Sequence, residues 1–316
     1  MADPVLHIKD SYFFEVPKFL YPHPYETLGD VQPFLRKAHP DATLDEFNHD
    51  LAGKIIIPQP FGTLKNLYTK VPFSEGGGVA ISKFMILELV VAVFMVLLFS
   101  WLAGRISGGR RAKGRIANMF EAALIYMKEQ IAEPAIGHHD AHKFVPLLWT
   151  MFFFVLFCNL LGMIPWLGNP TAAFGMTIAM ACVTFFAGLV MGSKQLGIVG
   201  YWKNQVPKLG LPLYIAIFVV PLLFLIEVGG LFIKHGVLAV RLLANMVAGH
   251  LVLLAILGIA VAAASSPVWY AWYVAAPLSV LGTTAFSMLE LMVSFLQAYV
   301  FTYLSALFIG AAVHHH

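Results

Sequence analysis

The chain divides near residue 84 into a polar first part and a second part of long apolar segments. Residues 1–83 are rich in Pro, Asp, His and aromatic residues, which predicts a small extramembrane N-terminal region of loops with one or two short helices. Residues 84–316 predict a membrane domain, because about 20 successive apolar residues cross the hydrocarbon core of a bilayer. Five segments reach that length, and the predicted spans are 84–104, 144–164, 172–192, 211–264 and 269–312.

The last two spans are much longer than a bilayer is thick. Residues 211–264 would extend for roughly 80 Å as one helix, whereas the hydrocarbon core is ~30 Å thick. We therefore expect two long, strongly tilted helices joined by a turn. Pro221 and Gly229–Gly230 are candidate bends in the first of them.

Residues 116–133 show a different periodicity. Apolar residues recur there at helical spacing, from Ile116 through Phe120 to Met127, and the charged residues lie elsewhere around the helix. This pattern predicts an amphipathic helix at the membrane interface, which we expect to end at Pro134.

Composition and charge agree with this organisation. Of the 316 residues, 59% are hydrophobic and 12% are charged, whereas a soluble domain carries roughly 25% charged residues. The predicted fold is an all-α integral membrane protein with about five membrane crossings and one interfacial amphipathic helix. The loops 105–115 and 193–210 are basic and lack acidic residues, so the positive-inside rule places them in the cytoplasm. We therefore expect the N-terminus outside and the C-terminus in the cytoplasm.

Several classes of function receive no support from the sequence. We find no basic patch for nucleic acid and no glycine-rich phosphate loop, and we expect neither a cofactor nor a metal site. Cys158 and Cys182 both lie in apolar segments, where we interpret them as small core residues.

Charged residues are rare in the long apolar region. From Leu211 to Val313, the Asp, Glu, Lys and Arg residues are Glu227, Lys234, Arg241 and Glu290. An ionisable group at membrane depth costs at least ~2.5 kcal/mol, and it usually faces a water-filled cavity or a partner. The charged residues are therefore candidate functional residues.

Their spacing arranges them on helix faces. Glu227, Lys234 and Arg241 are seven residues apart, so each step drifts by only about 20° and the three form one stripe. Asn245, four residues after Arg241, extends this stripe by one turn. With the predicted orientation, Glu227 lies near the cytoplasmic surface and Arg241 near the middle of the membrane.

The next polar residues lie toward the outer surface. Glu290 and Gln297 are seven apart and share a face of the last helix, whereas His250 lies about 180° around its helix from Arg241. We interpret the pattern as two polar half-paths, one opening to each side of the membrane, with the arginine between them.

Simpler interpretations stay open. Arg241 can be a structural partner of Glu227 or Glu290, and His250 with Glu290 can be a purely structural pair. The two amides, Asn245 and Gln297, can be hydrogen-bond partners between helices. Glu227 with Lys234 can be an ion pair near the membrane surface.

The polar residues lie in segments that resemble a known family, subunit a of the F-type ATP synthase (bacterial type), which is the proton-channel stator subunit. RLLANMVAGH resembles the family's signature of Arg, an Asn four residues on, and a small residue with Gly before an ionisable residue. ELMVSFLQAYVFTYLS resembles its last helix. The remaining similar segments are DPVLHIKDSYFFEVP, FVPLLWTMFFFVLFCNLLGMIP and IEVGGLFIKHGVLAV.

The resemblance implies a function. The chain would be a stator without catalytic activity of its own, in the inner membrane of a bacterium, that passes protons to and from the carboxylates of a c-subunit ring. Its other partners would be the b-subunit peripheral stalk, the remainder of the ATP synthase and membrane lipid, with no nucleic acid. Arg241 would face the ring, and Glu227 and Lys234 are candidates for the inner half-channel. The outer half-channel would contain Asn245, His250, Glu290 and Gln297.

Two departures from the family pattern are evident. The family often has Glu at the position of His250 and His at that of Glu290, and this exchange predicts that the two side chains touch. Residues 20–80 resemble an insertion beyond the family pattern.

Three other functions remain to be considered. The same stator would serve a sodium-driven enzyme, and the ring site that decides this lies in another chain. A secondary transporter would carry an internal repeat, which we do not find. A scaffold protein would leave Arg241 unexplained.

Overall fold

The computed structural model describes residues 10–17, 19, 21, 25–38, 40, 42–59, 81–106, 114–164, 167–204, 213–266, 268 and 270–313. From residue 81 on, these residues are almost entirely helical. The chain forms two compact units, one of residues 1–93 with 158–173 and the other of residues 94–157 with 174–316.

The first unit contains the small elements before the first long helix. They are β1 (Phe13–Glu15), α1 (Pro33–Ala38), α2 (Leu44–Leu51), β2 (Lys54–Ile56) and the start of α3 (Lys83–Ile106). The two strands pair antiparallel with Phe14 opposite Ile55. Our sequence analysis did not predict them, because a three-residue strand is too short to show an alternating pattern.

Local hydrogen bonds and a small apolar core explain how this polar segment folds. Thr43 and Glu46 cap the start of α2 reciprocally, since the Thr43 amide donates to the Glu46 carboxylate at 2.9 Å and the Glu46 amide donates to the Thr43 hydroxyl. The side chains of Val31, Leu35 and Phe47 pack together beneath α1 and α2.

The same unit holds the start of α3 in place. The Lys83 amide donates to the Ser11 carbonyl oxygen at 2.8 Å, and the Phe84 amide donates to the Asp10 carboxylate at 3.3 Å. These bonds satisfy amide groups that lack a partner within the helix at its first turn.

The second unit contains most of the long helices. Its elements, with the parts of α3 and α6 that belong to it, are α4 (Arg115–Met127), a π-helical turn (Lys128–Ala132), α5 (Glu133–Ile136), α6 (His138–Gly162), α7 (Phe174–Leu196), α8 (Ile198–Asn204), α9 (Leu213–Ala264) and α10 (Ala271–Val313). Within the described residues, α3, α6, α7, α9 and α10 are long and apolar enough to cross a membrane. The predicted all-α integral membrane fold is therefore confirmed.

The amphipathic segment does not end where we predicted. Helical backbone continues from α4 through the π-helical turn and past Pro134 to Ile136, and Gly137 with a φ of 93° ends it. Pro134 lies directly after the π-helical turn, at the second residue of α5. The apolar side of the amphipathic segment packs against the long helices through Met127 and Ile131.

The two longest helices pack against each other and against α7. α9 has 52 residues and stays helical through Pro221 and Gly229–Gly230, so the candidate bends do not break it. Membrane helices tolerate an internal proline where neighbouring groups satisfy the freed backbone carbonyl.

The two cysteines differ in exposure. Cys158 is buried, in agreement with its interpretation as a core residue, whereas Cys182 is exposed on α7. The interpretation of Cys182 was therefore wrong. An apolar sequence around a residue does not reveal which side of a membrane helix faces lipid.

Candidate functional site

The pattern of burial on α9 separates its polar residues into two groups. Arg241 and Lys234 are exposed and Glu227 is partly exposed, in keeping with the stripe that their spacing predicts. The buried side of the helix carries Leu238 and Leu242, which pack inside the second unit. Arg241 thus lies on the outer side of this chain and not in its core.

The most buried contact of the site joins His250 on α9 to Glu290 on α10. The His250 Nδ1 and Glu290 Oε1 atoms are 2.7 Å apart, and their side chains are 17% and 4% exposed. A carboxylate only accepts, so the proton of this bond lies on Nδ1 when Glu290 is ionised. The contact that the exchange of residue types predicted is therefore present, and a proton can move along it.

Gly249 makes room for this pair. A Cβ atom at residue 249 would lie 2.7 Å from Glu290 Oε1, closer than real Cβ contacts come. The carboxylate therefore occupies the space that a side chain at residue 249 would fill. The sequence signal for this was the small residue and Gly before His250, which we noted without assigning a steric role.

A second polar contact joins the same two helices. The Asn245 Nδ2 donates to Gln297 Oε1 at 2.7 Å. Gln297 is buried, and its Nε2 has no hydrogen-bond partner among the residues that the structure describes. The Nε2 amide is therefore an unsatisfied buried donor, and groups of this kind bind water.

The two contacts form a polar ladder that follows from antiparallel packing. Asn245 precedes His250 by five residues on α9, and Gln297 follows Glu290 by seven on α10. At 1.5 Å per residue the contacts lie about 8–10 Å apart along the helices. The ladder places an amide pair one turn beyond Arg241 and the imidazole–carboxylate pair farther on.

The structure does not bring Arg241 together with an acidic side chain. Among the described residues it has no ion-pair partner, and Glu290 bonds to His250 instead. Glu227 precedes Arg241 by 14 residues, or about 21 Å along the helix. The interpretation of Arg241 as a structural partner of either acid therefore has no geometric support.

Asn159 belongs to the first unit and has a local partner. Its Oδ1 accepts from the Thr171 hydroxyl at 2.8 Å, and both residues are fully buried. The hydroxyl also lies 2.6 Å from Asn169 Oδ1. This arrangement is typical of a polar contact that fixes a loop, here the one after α6.

Comparison with known families gives a match over most of the chain. A family model described as ATP synthase A chain matches residues 85–310. The matched range includes Arg241 and the polar ladder. It also includes the five long helices, except for the first two residues of α3 and the last three of α10.

Individual relatives from three bacteria agree with this match. The ATP synthase subunit a of Myxococcus xanthus is 37% identical over 238 residues, which is 72% of this chain and 72% of that protein. The ATP synthase subunit a 2 of Chlorobium luteolum is 35% identical over 298 residues, 90% of this chain and 82% of that protein.

The third relative bears on the N-terminal region. The ATP synthase subunit a of an Anaeromyxobacter species is 33% identical over 313 residues, 98% of this chain and 70% of that protein. The aligned part includes residues 20–80, which lie before the family model begins. The segment therefore has a counterpart in a relative, and its interpretation as an insertion stays a prediction.

Proposed function

The chain belongs to the family of ATP synthase A chains, and from this premise we propose that it is the proton-translocating stator subunit of a rotary ATP synthase. It is a multi-pass membrane component of that complex and does not form ATP itself. The observation that carries the proposal is the exposed Arg241 one turn from a partly buried polar ladder between α9 and α10.

Arg241 is proposed to face the c-subunit ring. A guanidinium stays charged at any working pH, so it favours the ionised form of a ring carboxyl that approaches it and repels a proton between the two half-channels. Its exposure in this chain and its lack of an acidic partner among the described residues support this role.

The polar ladder is proposed to line the outer half-channel. Glu290 and His250 exchange a proton across their 2.7 Å contact, since imidazole titrates near neutral pH. Asn245 and Gln297 continue the path toward Arg241 with amide groups that bind water. A ring carboxylate that takes the proton becomes neutral and enters lipid at much lower cost than an anion.

The inner half-channel is proposed to include Glu227, with Lys234 on the same side of α9. Their exposure on the stripe that leads to Arg241 supports this assignment. Each proton that crosses 100 mV releases ~2.3 kcal/mol, so several protons drive the synthesis of one ATP.

The arrangement in the membrane is part of the proposal. The protein lies in the inner membrane of a bacterium with residues 1–83 outside and its C-terminus in the cytoplasm, as the basic loops indicate. The b-subunit stalk would hold the chain still while the ring turns past Arg241.

The test is Arg241→Ala in the whole ATP synthase, reconstituted in vesicles without sodium. We expect the complex to assemble and ATP-driven acidification of the vesicles to vanish, because no fixed cation would separate the half-channels. Arg105→Ala is the matched control, since Arg105 lies over the Trp101 ring at the end of α3 and takes no part in the path. Normal pumping by Arg241→Ala would refute the proposal, and wild-type pumping that needs sodium would assign the sodium-driven alternative.

A further inference from the structure

One buried imidazole on α9 has no part in the proposed proton path. His235 is 8% exposed and lies six residues before Arg241. Its Nδ1 lies 2.8 Å from the Leu231 carbonyl oxygen, and because a carbonyl only accepts, Nδ1 is the donor. This bond to its own helix fixes the orientation of the ring.

Two phenylalanine rings contact this imidazole and a third stacks on one of them, so that aromatic rings of three helices meet here. Phe185 of α7 meets His235 edge to face with ring centres 5.3 Å apart, and Phe308 of α10 lies at 4.9 Å. Phe232 of α9 stacks on Phe185 at 5.2 Å. These four side chains form the ring cluster.

The ring cluster meets α9 in the middle of its buried side. At 3.6 residues per turn, His235 lies about 120° from Arg241 around the helix axis. Leu238, Leu242 and Met246 lie on the same side as His235 and are buried. A rotation of α9 about its axis would therefore pull the imidazole from the ring cluster and turn the guanidinium by the same angle.

Three glycines near His235 add no packing to this part of α9. A Cβ atom added at Gly229, Gly230 or Gly236 would meet no other heavy atom within 4 Å. These glycines contribute no side-chain packing, and glycine makes a helix easier to deform. Between these glycines, the His235 ring contacts a ring of each neighbouring helix, Phe185 of α7 and Phe308 of α10.

We propose that His235 is a positioning residue that sets the rotation of α9, and with it the direction of Arg241, by holding its ring between α7 and α10. The consequence for pumping rests on the proposed function, whereas the rotation itself is measured without it. This role requires a ring but not a titrating group. His235→Phe should therefore preserve the orientation of α9, whereas His235→Ala should not.

The experiment uses the whole ATP synthase with Cys158 and Cys182 replaced by alanine. Single cysteines are placed at Leu238, which is buried, or at Val240, which is exposed. These positions are close in depth and about 160° apart around α9. Their reaction rates with a small membrane-permeant thiol reagent report rotation, because one position becomes buried as the other becomes exposed.

With His235→Ala we expect the two rates to change severalfold in opposite directions and ATP-driven pumping to fall about tenfold, since small misplacements of a reacting group are costly. His235→Phe should keep both rates and pumping within about twofold of the parent. Ile233→Ala, an exposed neighbour, is the matched control and should change nothing. If His235→Ala does not assemble, His235→Leu fills the site without a ring and takes its place.

Three results would overturn the inference. Rates that rise together indicate a loosened helix, and unchanged rates indicate that His235 does not set the rotation. Loss of pumping in His235→Phe with unchanged rates indicates a proton relay. Normal pumping by Arg241→Ala would refute the proposed function alone, because the thiol rates do not depend on proton flow.

Discussion

The polar residues of α9 form two groups, one bonded to side chains of α10 and one without an ion-pair partner among the described residues. Toward α10, Asn245 and His250 bond to side chains of the same protein at 2.7 Å. On the stripe of Arg241, Lys234 is also exposed, and within the described residues neither cation has an ion-pair partner. The first group is therefore paired within the chain, and the cations of the second group are not.

This difference indicates where a second protein has to act. An unpaired cation at membrane depth costs several kcal/mol, and a folded chain keeps one only where water or a partner compensates it. The contacts of the polar ladder form between side chains of this chain alone. The comparison predicts that changes on the ladder act through contacts within this chain, and that changes at the exposed cations act through the proposed contact with the ring.

Among changes on the polar ladder, the largest effect is expected for Glu290→Gln. The amide keeps the size of the side chain but cannot carry a proton, so proton uptake from the outer side should fall about 100-fold or more. The measurement is the initial rate of proton flow into vesicles under an imposed potential. Asn159→Ala is the control, because Asn159 bonds to Thr171 in the first unit, and it should lower the rate less. The reverse order would contradict the assignment of the outer half-channel.

Gly249→Ala tests the geometry of the same contact. The new methyl group would lie 2.7 Å from Glu290 Oε1 and would displace the carboxylate from His250. We expect the proton-flow rate to fall about tenfold. Gly258→Ala on the same helix is the matched control, since a Cβ there meets no atom within 4 Å. Equal rates for the two variants would mean that the position of the carboxylate is unimportant.

The exchange of residue types gives a third test of the ladder. His250→Glu and Glu290→His each leave two like groups in contact and should each lower pumping, whereas the double variant restores one acid and one imidazole. We expect a coupling of about 1–3 kcal/mol between the two changes in the pumping rate. Additive effects would show that the contact at 2.7 Å is not used.

The sequence alone predicted the stripe, the pairing of His250 with Glu290 and the positions of the long helices. Helix periodicity sufficed for the stripe, because seven residues make almost two whole turns. The start of α6 differs, since the helix begins at His138 and not at 144. Hydropathy identifies only the apolar part of a helix. It does not reveal that the polar residues before that part, here 138–143, are helical as well.

What the sequence did not predict depends on contacts between distant segments. The ring cluster needs three helices to meet, and the exposure of Cys182 depends on how α7 is rotated in the bundle. The carboxylate that lies against Gly249 comes from a residue 41 positions later. Periodicity assigns a residue to a face of its own helix but does not identify which neighbour that face meets.

The smallest effect is expected on the stripe, for Lys234→Gln. Lys234 is exposed and has no ion-pair partner among the described residues, so its loss should change the thermal stability of the complex by less than about 0.5 kcal/mol. Proton release to the cytoplasm should slow by about twofold at most, because the proposal assigns the separation of the half-channels to Arg241 and not to Lys234. Measuring both thermal stability and proton release distinguishes the exposed cations from the residues of the polar ladder. A large loss of stability would mean that Lys234 has a partner and that the stripe is held within the assembled complex by more than Arg241.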